Sequence, residues 1–240
     1  MSTEQASSPM DIGIIGAGNI GGVLARRLTE LGHRVEVANS RGPETLADLE
    51  RESEATAVDV TQAATGKRVV VVTIPQARVP DLPAGLFADA EDDLVVVDTG
   101  NYYPRQRDGR IAAIESGTPE SVWVCEQLGR PVVKAFNNLY AASLDSKGRP
   151  AGAEGRVALP VAGDDPDAKA TVMALVDALG FDPVDAGGLG ESWRQQPGSP
   201  VYTADRDAQG VVEGLASASP ERLADFTATD ESPGTMNAPR

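Results

Sequence analysis

The stretch "DIGIIGAGNIGGVLARRLTELGH" constrains the fold of this chain more than any other, because it joins an apolar strand to a helix through G-x-G-x-x-G. Gly16 permits the tight turn, Gly18 lets the backbone approach a pyrophosphate, and Gly21 lets helix and strand pack closely. The helix also offers free N–H groups and the positive end of its dipole. This context predicts a phosphate-binding turn, whereas the alternative is a turn that only connects strand and helix.

Apolar strands and helical segments alternate along the chain beyond this turn. The runs "RVVVVTIP", "DLVVVDTGN" and "PVVKAFNN" are rich in β-branched residues, as expected for strands covered on both faces. Strands that alternate with helices indicate an α/β fold with right-handed crossovers. We therefore expect a Rossmann-type, doubly wound, mostly parallel sheet with helices on both faces and a short C-terminal extension.

Composition and charge exclude several classes of function. The formal net charge of -15 argues against a nucleic-acid partner, because such a chain lacks a basic surface for phosphates. The lone cysteine, Cys125, excludes an internal disulfide framework. The only histidine, His33, excludes a histidine metal cluster and a Ser-His-Asp triad. His33 follows Gly32 in a turn, where we expect it to be exposed.

The sequence also predicts where the protein works. No apolar run approaches ~20 residues, and the polar N-terminus lacks the pattern of a signal peptide. We therefore expect a cytoplasmic protein with a small-molecule substrate and no membrane partner, and a homodimer stays open. No metal site is expected.

The stretch "VEVANSRG" lies where dinucleotide-binding strands often end in the Asp or Glu that holds the ribose 2′-hydroxyl. Here Asn39 can donate its amide, Ser40 can donate its hydroxyl, and Arg41 can pair with a 2′-phosphate. This pattern favours NADP(H) over NAD(H). In the alternative interpretation Arg41 is a solvated loop residue and Ser40 caps the next helix.

These assignments give a provisional domain plan. We expect a flexible N-terminus over residues 1–9 and an NADP-binding Rossmann-type domain over residues 10–216. We expect the strands and helices of its second half to complete the site for a second substrate, the acceptor. The polar segment over residues 217–240 is expected to be a flexible tail.

Ligands of doubly wound sheets bind at the carboxyl ends of the strands, so the residues after each strand are candidates. They supply no acid–base pair, and no such residue is obligatory for hydride transfer; we keep Tyr102 and Asn137 as catalytic candidates. Lys134 lies inside an apolar strand and either faces a ligand or extends out of the sheet end. Four aromatic residues either form a flat slot or pack in the core: Tyr102, Tyr103, Phe136 and Trp193.

Several motifs together resemble the NADP oxidoreductases that depend on the deazaflavin coenzyme F-420. They are "IGIIGAGNIGGVLARRLTELGHRVEVANSR", the "TIP" after the fourth strand, "KAFNN" after the sixth, and "LPVAGDDPDAKATVMALVDALGFDPVDAG". The similarity covers roughly residues 10 to 190. Asn137 stands where family members often carry a histidine, and "DTGNYYP" departs from the pattern of the deazaflavin enzymes.

The resemblance implies hydride transfer between NADP(H) and a deazaflavin, with the protein holding the two rings together and excluding water. It implies pyrophosphate contacts, then 2′-phosphate contacts, then contacts to the middle and the nicotinamide end of the dinucleotide. With Asn39 and Asn101 from the strand-end pattern, the expected cofactor-binding residues are Gly16, Ala17, Gly18, Asn19, Ile20, Gly21, Asn39, Ser40, Arg41, Thr73, Ile74, Pro75, Asn101, Phe136 and Asn138.

Three functions stay open at this point. The first is NADP(H)-dependent hydride transfer to coenzyme F-420. The second is NADPH-dependent reduction of another small carbonyl or imine compound, in a pocket shaped by Tyr102, Tyr103, Trp193 and Tyr202, where a tyrosine donates the proton. The third is a non-catalytic module that senses NADP(H).

Overall fold

A computed structural model describes residues 8–240, so most of the expected flexible N-terminus lies outside the described residues. Six parallel strands form the main sheet in the order β3-β2-β1-β4-β5-β6. This order confirms the doubly wound Rossmann-type fold, because the chain builds outward in both directions from the middle of the sheet. The strands are β1 (Asp11–Ile15), β2 (Arg34–Ala38), β3 (Thr56–Ala57), β4 (Val69–Val72), β5 (Val95–Asp98) and β6 (Val132–Lys134).

Helices cover both faces of this sheet. Successive residues of a strand point to opposite faces, so Val69 and Val71 belong to one buried cluster and Val70 and Val72 to another. The strand is apolar throughout because both faces are buried, as the sequence predicted. The helices are α1 (Asn19–Glu30), α2 (Ala47–Ser53), α3 (Val60–Ala64), α4 (Ala112–Glu115), α5 (Glu120–Leu128), α6 (Ala141–Ser146), α7 (Pro166–Ala178) and α8 (Ala208–Ala216).

A second, two-stranded parallel sheet follows β6, made of β7 (Ala158–Val161) and β8 (Asp182–Asp185). The two sheets meet at an antiparallel bridge between Lys134 and Ala162, whose backbone N–H groups donate to each other's carbonyl oxygens at 2.8 and 3.0 Å. Helix α8 packs on this sheet through Val211 and Leu215. The second half of the chain therefore extends the edge of the main sheet beyond β6.

The segment after Ser217 lies against the rest of the protein, which differs from the expected flexible tail. The backbone N–H groups of Gly234 and Arg240 donate to the carbonyl oxygen of Arg105 at 2.7 and 3.0 Å. The Arg222 guanidinium also donates to Glu120 Oε1 at 2.9 Å. The segment is polar because its partners are charged groups and backbone carbonyls, which composition alone does not reveal.

The expectation that His33 is exposed is wrong, because only 4% of its surface is accessible. The backbone N–H of Met10 donates to His33 Nδ1 at 3.1 Å, which places the imidazole between the start of β1 and the turn before β2. Burial lowers the pKa of the imidazole. His33 is therefore a structural residue of the sheet edge opposite the carboxyl ends of the strands.

Across residues 8–240, no helix combines the length and the apolar character that crossing a bilayer requires.

Candidate functional site

A cavity of about 750 Å³ opens at the carboxyl ends of β1, β2 and β4. Its position is the point where the strand order reverses, since β2 lies on one side of β1 and β4 on the other. In doubly wound folds this crevice receives the dinucleotide. The lining residues are Ile15, Gly16, Ala17, Gly18, Asn39, Ser40, Arg41, Val60, Thr73, Ile74, Pro75, Arg78, Asp81, Leu82 and Pro83.

The three glycines of the turn are required for different reasons. Gly16 has a φ of 115°, and a Cβ there would overlap the backbone carbonyl of Thr73. A Cβ on Gly21 would overlap the carbonyl oxygen of Gly16 and meet Thr73 Cγ2 at 2.8 Å. Gly18 has a φ of -80°, and a Cβ there would meet nothing within 4 Å. The packing of the chain therefore requires glycine at positions 16 and 21, whereas glycine at 18 leaves open space in the cavity.

The N-terminus of α1 faces this open space. Gly18 is its N-cap, no side chain caps the helix, and the first turn carries no acidic residue. Asn19, Ile20 and Gly21 form that first turn and do not themselves line the cavity. The positive end of the helix dipole is therefore available to an anion, and the donor set fits a pyrophosphate.

The loop after β2 presents Ser40 and Arg41 to the other end of the cavity. Both are exposed, and Arg41 takes part in no ion pair within the part of the chain that the structure describes. The 3-10 helix that follows is capped by Gly42 without a side-chain hydrogen bond, so Ser40 does not cap it. A free hydroxyl and a free guanidinium at this position fit a 2′-phosphate.

The Asn39 amide also has a structural role in this loop. Its Nδ2 donates to Thr45 Oγ1 at 2.8 Å, and its Oδ1 accepts from the backbone N–H of Arg41 at 2.8 Å. Both polar atoms of the side chain are thus used to hold the loop in shape. Asn39 therefore positions Ser40 and Arg41, and it lines the cavity with one hydrogen of its Nδ2 not used in these contacts.

A buried ion pair fixes the turn after β5. Lys134 is fully buried, and its Nζ donates to Asp98 Oδ2 at 3.0 Å and also to the carbonyl oxygen of Gly100. Asp98 accepts further hydrogen bonds from the backbone N–H of Gly100 and from Ser121 Oγ, both at 2.7 Å. Lys134 therefore neither faces a ligand nor extends out of the sheet. Its hydrogen bond to the Gly100 carbonyl oxygen holds the turn after β5 in place.

Side-chain amides join the ends of β5 and β6 to the 3-10 segment Leu189–Gln195. Asn137 Nδ2 donates to Asn101 Oδ1 at 3.0 Å and to the carbonyl oxygen of Gln195 at 2.7 Å. Its Oδ1 accepts from Gln195 Nε2 at 3.0 Å. Because every polar atom of Asn137 is occupied and the residue is buried, it serves as a structural link and is not a free catalytic group.

The structure separates Tyr102 from the cavity. Its ring is fully buried, and its hydroxyl oxygen lies 2.8 Å from both the carbonyl oxygen of Gly109 and Glu115 Oε1, which share its single hydrogen as acceptors. Burial raises the pKa of this phenol. A hydroxyl enclosed in this way does not reach a substrate, so the geometry argues against Tyr102 as a proton donor.

The other aromatic residues also do not form one flat slot. Phe136 lies in the core with a φ of 61°, and Trp193 lines a separate cavity of about 710 Å³. Tyr103 instead pairs with Tyr202 through their hydroxyl groups, and Phe226 packs on both rings. We call Tyr103, Tyr202 and Phe226 the aromatic cluster.

Of the residues expected near the nicotinamide, the structure brings none into the cavity. Asn101 is partly buried and engaged with Asn137, and Phe136 and Asn138 are buried. The buried Asn138 Oδ1 has no hydrogen-bond partner among residues 8–240. The cavity thus accommodates the adenosine and pyrophosphate end, and the carboxyl ends of β5 and β6 lie beside it.

Sequence reasoning missed several residues at the site. Arg78, Asp81, Leu82 and Pro83 line the cavity from the 3-10 segment after Pro75. The prolines of "TIPQARVPDLP" signal an irregular segment at a strand end, where ligands bind. Gln195 and Phe226 were missed because nothing local in their sequence indicates a distant partner.

Comparison with known proteins identifies relatives of this chain. Residues 11–102 match the family described as NADP oxidoreductase, coenzyme F-420-dependent. The structure of hypothetical protein SMa0349 from Sinorhizobium meliloti is 32% identical, with a TM-score of 0.69 over 83% of this chain and 95% of that one. A structure from Arthrobacter sp. FB24, provisionally described as an F-420-dependent NADP reductase, is 24% identical over 76% of this chain and 87% of its own, with a TM-score of 0.62.

Two curated relatives each match over half or less of their own length. Metalloreductase STEAP3 from Rattus norvegicus is 29% identical over 74% of this chain and 34% of its own length. Escherichia coli K12 YjhV is 46% identical over 33% of this chain and 50% of its own length. The chain thus spans half or less of the curated relatives it matches. By its glycine turn, its strand order and its similarity to SMa0349 along nearly that whole protein, the chain belongs to the family of NADP oxidoreductases described as coenzyme F-420-dependent.

Proposed function

We propose that this protein binds NADP(H) in the cavity at β1, β2 and β4 and transfers a hydride between it and a second substrate. The observation that carries the proposal is the open space at Gly18, because nothing in the fold itself requires a glycine there. When bound, NADPH supplies a hydride from its nicotinamide ring.

The protein's own residues then bind and orient the dinucleotide. The N-terminus of α1 and the backbone at Gly18 hold the pyrophosphate, and Ser40 and Arg41 hold the 2′-phosphate. The Asp98–Lys134 pair holds the turn after β5, where the nicotinamide end would lie. A preorganised turn of this kind limits the movement of a bound ring and so favours hydride transfer.

The family description makes coenzyme F-420 the first candidate for the second substrate. Hydride transfer between two conjugated rings needs positioning and exclusion of water, and it needs no histidine or carboxylate base. This requirement agrees with the residues present, since the only histidine is buried at the opposite edge of the sheet.

A compact carbonyl or imine compound is the second candidate, and the aromatic cluster favours it. Tyr103 and Tyr202 bring two phenol hydroxyls together beside the end of β5, and Phe226 covers their rings. Reduction of a carbonyl or imine needs a proton as well as a hydride, and a phenol can donate that proton.

Anaerobic mixing tests the proposal. The protein is saturated with NADPH and mixed with oxidised coenzyme F-420, and in parallel with a panel of carbonyl and imine compounds, while the absorbance of NADPH and of the deazaflavin is followed. We expect NADPH oxidation with at least one acceptor, and none with the Gly18→Val variant, in which the branched side chain fills the cavity. Tight NADPH binding without turnover on any acceptor would contradict the proposal and indicate a sensing module.

A further inference from the structure

The C-terminal segment places an aromatic ring directly on two tyrosines. The ring centroid of Phe226 lies 6.4 Å from that of Tyr103 and 6.4 Å from that of Tyr202, with interplanar angles of 48° and 81°. Tilted and edge-to-face pairs at such distances attract each other beyond the apolar area that they bury. The Phe226 ring is therefore a specific contact of the aromatic cluster.

The aromatic cluster adjoins the carboxyl ends of β5 and β6. Arg107 Nη2 donates to the carbonyl oxygen of Asn101 at 2.7 Å, and the same guanidinium lies 5.2 Å from the centroid of the Tyr103 ring. The backbone N–H of Thr203, next to Tyr202, donates to the carbonyl oxygen of Asn138 at 2.8 Å. Asn101 and Asn138 follow the two strands nearest to the expected nicotinamide position. The aromatic cluster therefore lies beside the strand ends at which the proposed function places the nicotinamide.

The backbone on both sides of Phe226 is held in place. Arg105 Nε donates to the carbonyl oxygen of Thr227 at 3.0 Å, and the backbone N–H of Ala228 donates to Glu115 Oε1 at 3.1 Å. Before Phe226, Arg222 pairs with Glu120, which is fully buried. These contacts set where the ring lies.

The ring itself is only partly buried, and it rests on a glycine. A Cβ on Gly198 would meet Phe226 Cδ2 at 3.1 Å, so the ring packs directly on this backbone. Tyr103, Tyr202 and Gly198 thus form a shallow niche that receives one flat ring. A flat acceptor with several rings that stacked on the side of Tyr103 and Tyr202 where Phe226 lies would compete with Phe226, because one side of a ring holds one partner at a time.

We propose that Phe226 determines acceptor specificity by occupying the tyrosine faces on which a flat, multi-ring acceptor would stack, which restricts the acceptor side to compact molecules. This inference rests on the proposed function, since the acceptor side is defined by hydride transfer from NADP(H), and of the two candidate acceptors it favours the compact carbonyl or imine compound over coenzyme F-420. A multi-ring acceptor binds fully only when Phe226 leaves the niche. The chain therefore discriminates against such acceptors by the free energy of the Phe226 contacts.

Equilibrium binding tests the inference without requiring turnover. Deazariboflavin, a fluorescent three-ring compound, is titrated with NADP⁺-saturated protein, and its fluorescence polarisation is measured for wild type, Phe226→Ala and Phe226→Leu. We expect Phe226→Ala to bind it about tenfold more tightly than wild type, given the energy of two aromatic pairs. Phe226→Leu should fall between them, because leucine keeps bulk but loses the ring.

Met236→Ala is the matched control, since Met236 lies in the same segment and is 65% exposed. It should bind deazariboflavin as wild type does. A truncation is less informative, because it would also remove Arg222 and leave Glu120 buried without its partner. Circular dichroism melting checks that each variant is folded.

Equal, weaker or undetectable binding by a folded Phe226→Ala variant would overturn the inference. Failure of the wild type to bind NADP⁺ in the same samples would instead overturn the proposed function, which keeps the two outcomes separate. A tighter complex in Phe226→Ala with unchanged NADP⁺ affinity is the result that supports the role of Phe226.

Discussion

Two glycines two residues apart are predicted to respond in opposite ways to the same substitution. Gly18→Ala should leave the free energy of unfolding within about 1 kcal/mol of wild type, because its Cβ meets open space. It should nevertheless weaken NADPH and NADH at least tenfold by blocking the approach of the pyrophosphate. Gly16→Ala should lower the free energy of unfolding by more than about 1 kcal/mol, because of its positive φ and the overlap with Thr73.

Urea unfolding and dinucleotide titration of both variants separate these effects. If Gly18→Ala kept full affinity for both dinucleotides, the cavity would not hold the pyrophosphate where we place it. If Gly16→Ala were as stable as wild type, the turn would be more tolerant than its geometry indicates.

Arg41→Ala should weaken NADPH about 10- to 100-fold, since a charged hydrogen bond is worth about 1.5–3 kcal/mol. NADH lacks the 2′-phosphate and should bind the variant almost as it binds wild type. Arg51→Ala is the matched control, because this exposed arginine of α2 pairs with Asp48 and does not line the cavity. Isothermal titration with both dinucleotides measures the difference, and equal losses for NADPH and NADH would contradict the 2′-phosphate assignment.

At the residue scale, the sequence predicted several side chains that line the cavity but not the hydrogen bonds that each one makes. Ser40 and Arg41 were identified because a missing acidic residue is a local signal. The hydrogen bonds of the Asn39 amide to Thr45 and to the Arg41 backbone were not predicted, because hydrogen bonding within a loop is not visible in a sequence. His33 was expected at the surface for the same reason, since its partner Met10 precedes β1.

At the element scale, the turn between α1 and β2 makes stability depend on pH. Burial holds the pKa of His33 below its usual 6.5, and Nδ1 accepts a hydrogen bond from Met10 that a protonated imidazole would lose. A group with a lowered folded-state pKa contributes stability above its unfolded pKa and loses it as the pH falls. Wild type should therefore lose stability relative to His33→Gln as the pH decreases from 7 to 5. If the free energies of unfolding of the two proteins changed equally with pH over this range, the protonation of His33 would not be linked to folding.

The buried ion pair of Asp98 and Lys134, between β5 and β6, predicts that mutations of these two residues change the free energy of unfolding non-additively. Lys134→Met leaves Asp98 charged and buried without a partner and should cost about 3–5 kcal/mol of folding free energy. Adding Asp98→Asn removes that charge while keeping an acceptor for the Gly100 backbone, so the double variant should be more stable than Lys134→Met alone. Urea unfolding of Lys134→Met, Asp98→Asn and the double variant measures this coupling. If the double variant lost as much stability as the two single variants together, the ion pair would not couple the two residues.

Most elements of the main sheet followed from the sequence, because covered parallel strands are apolar and their helices end at glycines. Helix α5 ends before Gly129 in the left-handed region, and the Asp165 side chain caps α7. The hidden element was the 3-10 segment Leu189–Gln195, which depends on the amide contacts of Asn137. Because Asn137, the partner that fixes its position, lies more than fifty residues earlier in the chain, no local sequence pattern predicts this segment.

At the scale of the whole molecule, strand order was predictable and the placement of residues 217–240 was not. Alternating strands and helices with right-handed crossovers leave few topologies, and the observed order is one of them. The C-terminal segment is polar and rich in small residues, a composition typical of flexible tails. It is held by arginines of the segment after β5 and by Glu120, which are encoded about a hundred residues earlier.

The two sides of the site are encoded in separate stretches of the gene, and this separation bears on how such proteins diversify. Every residue that lines the dinucleotide cavity lies between positions 15 and 83, whereas the aromatic cluster comes from positions 103, 202 and 226. Under the proposed function, mutation or recombination downstream of β5 would change the acceptor and leave the cofactor preference intact. Directed evolution toward new acceptors should accumulate its useful changes in the later stretch and leave the first hundred codons largely untouched.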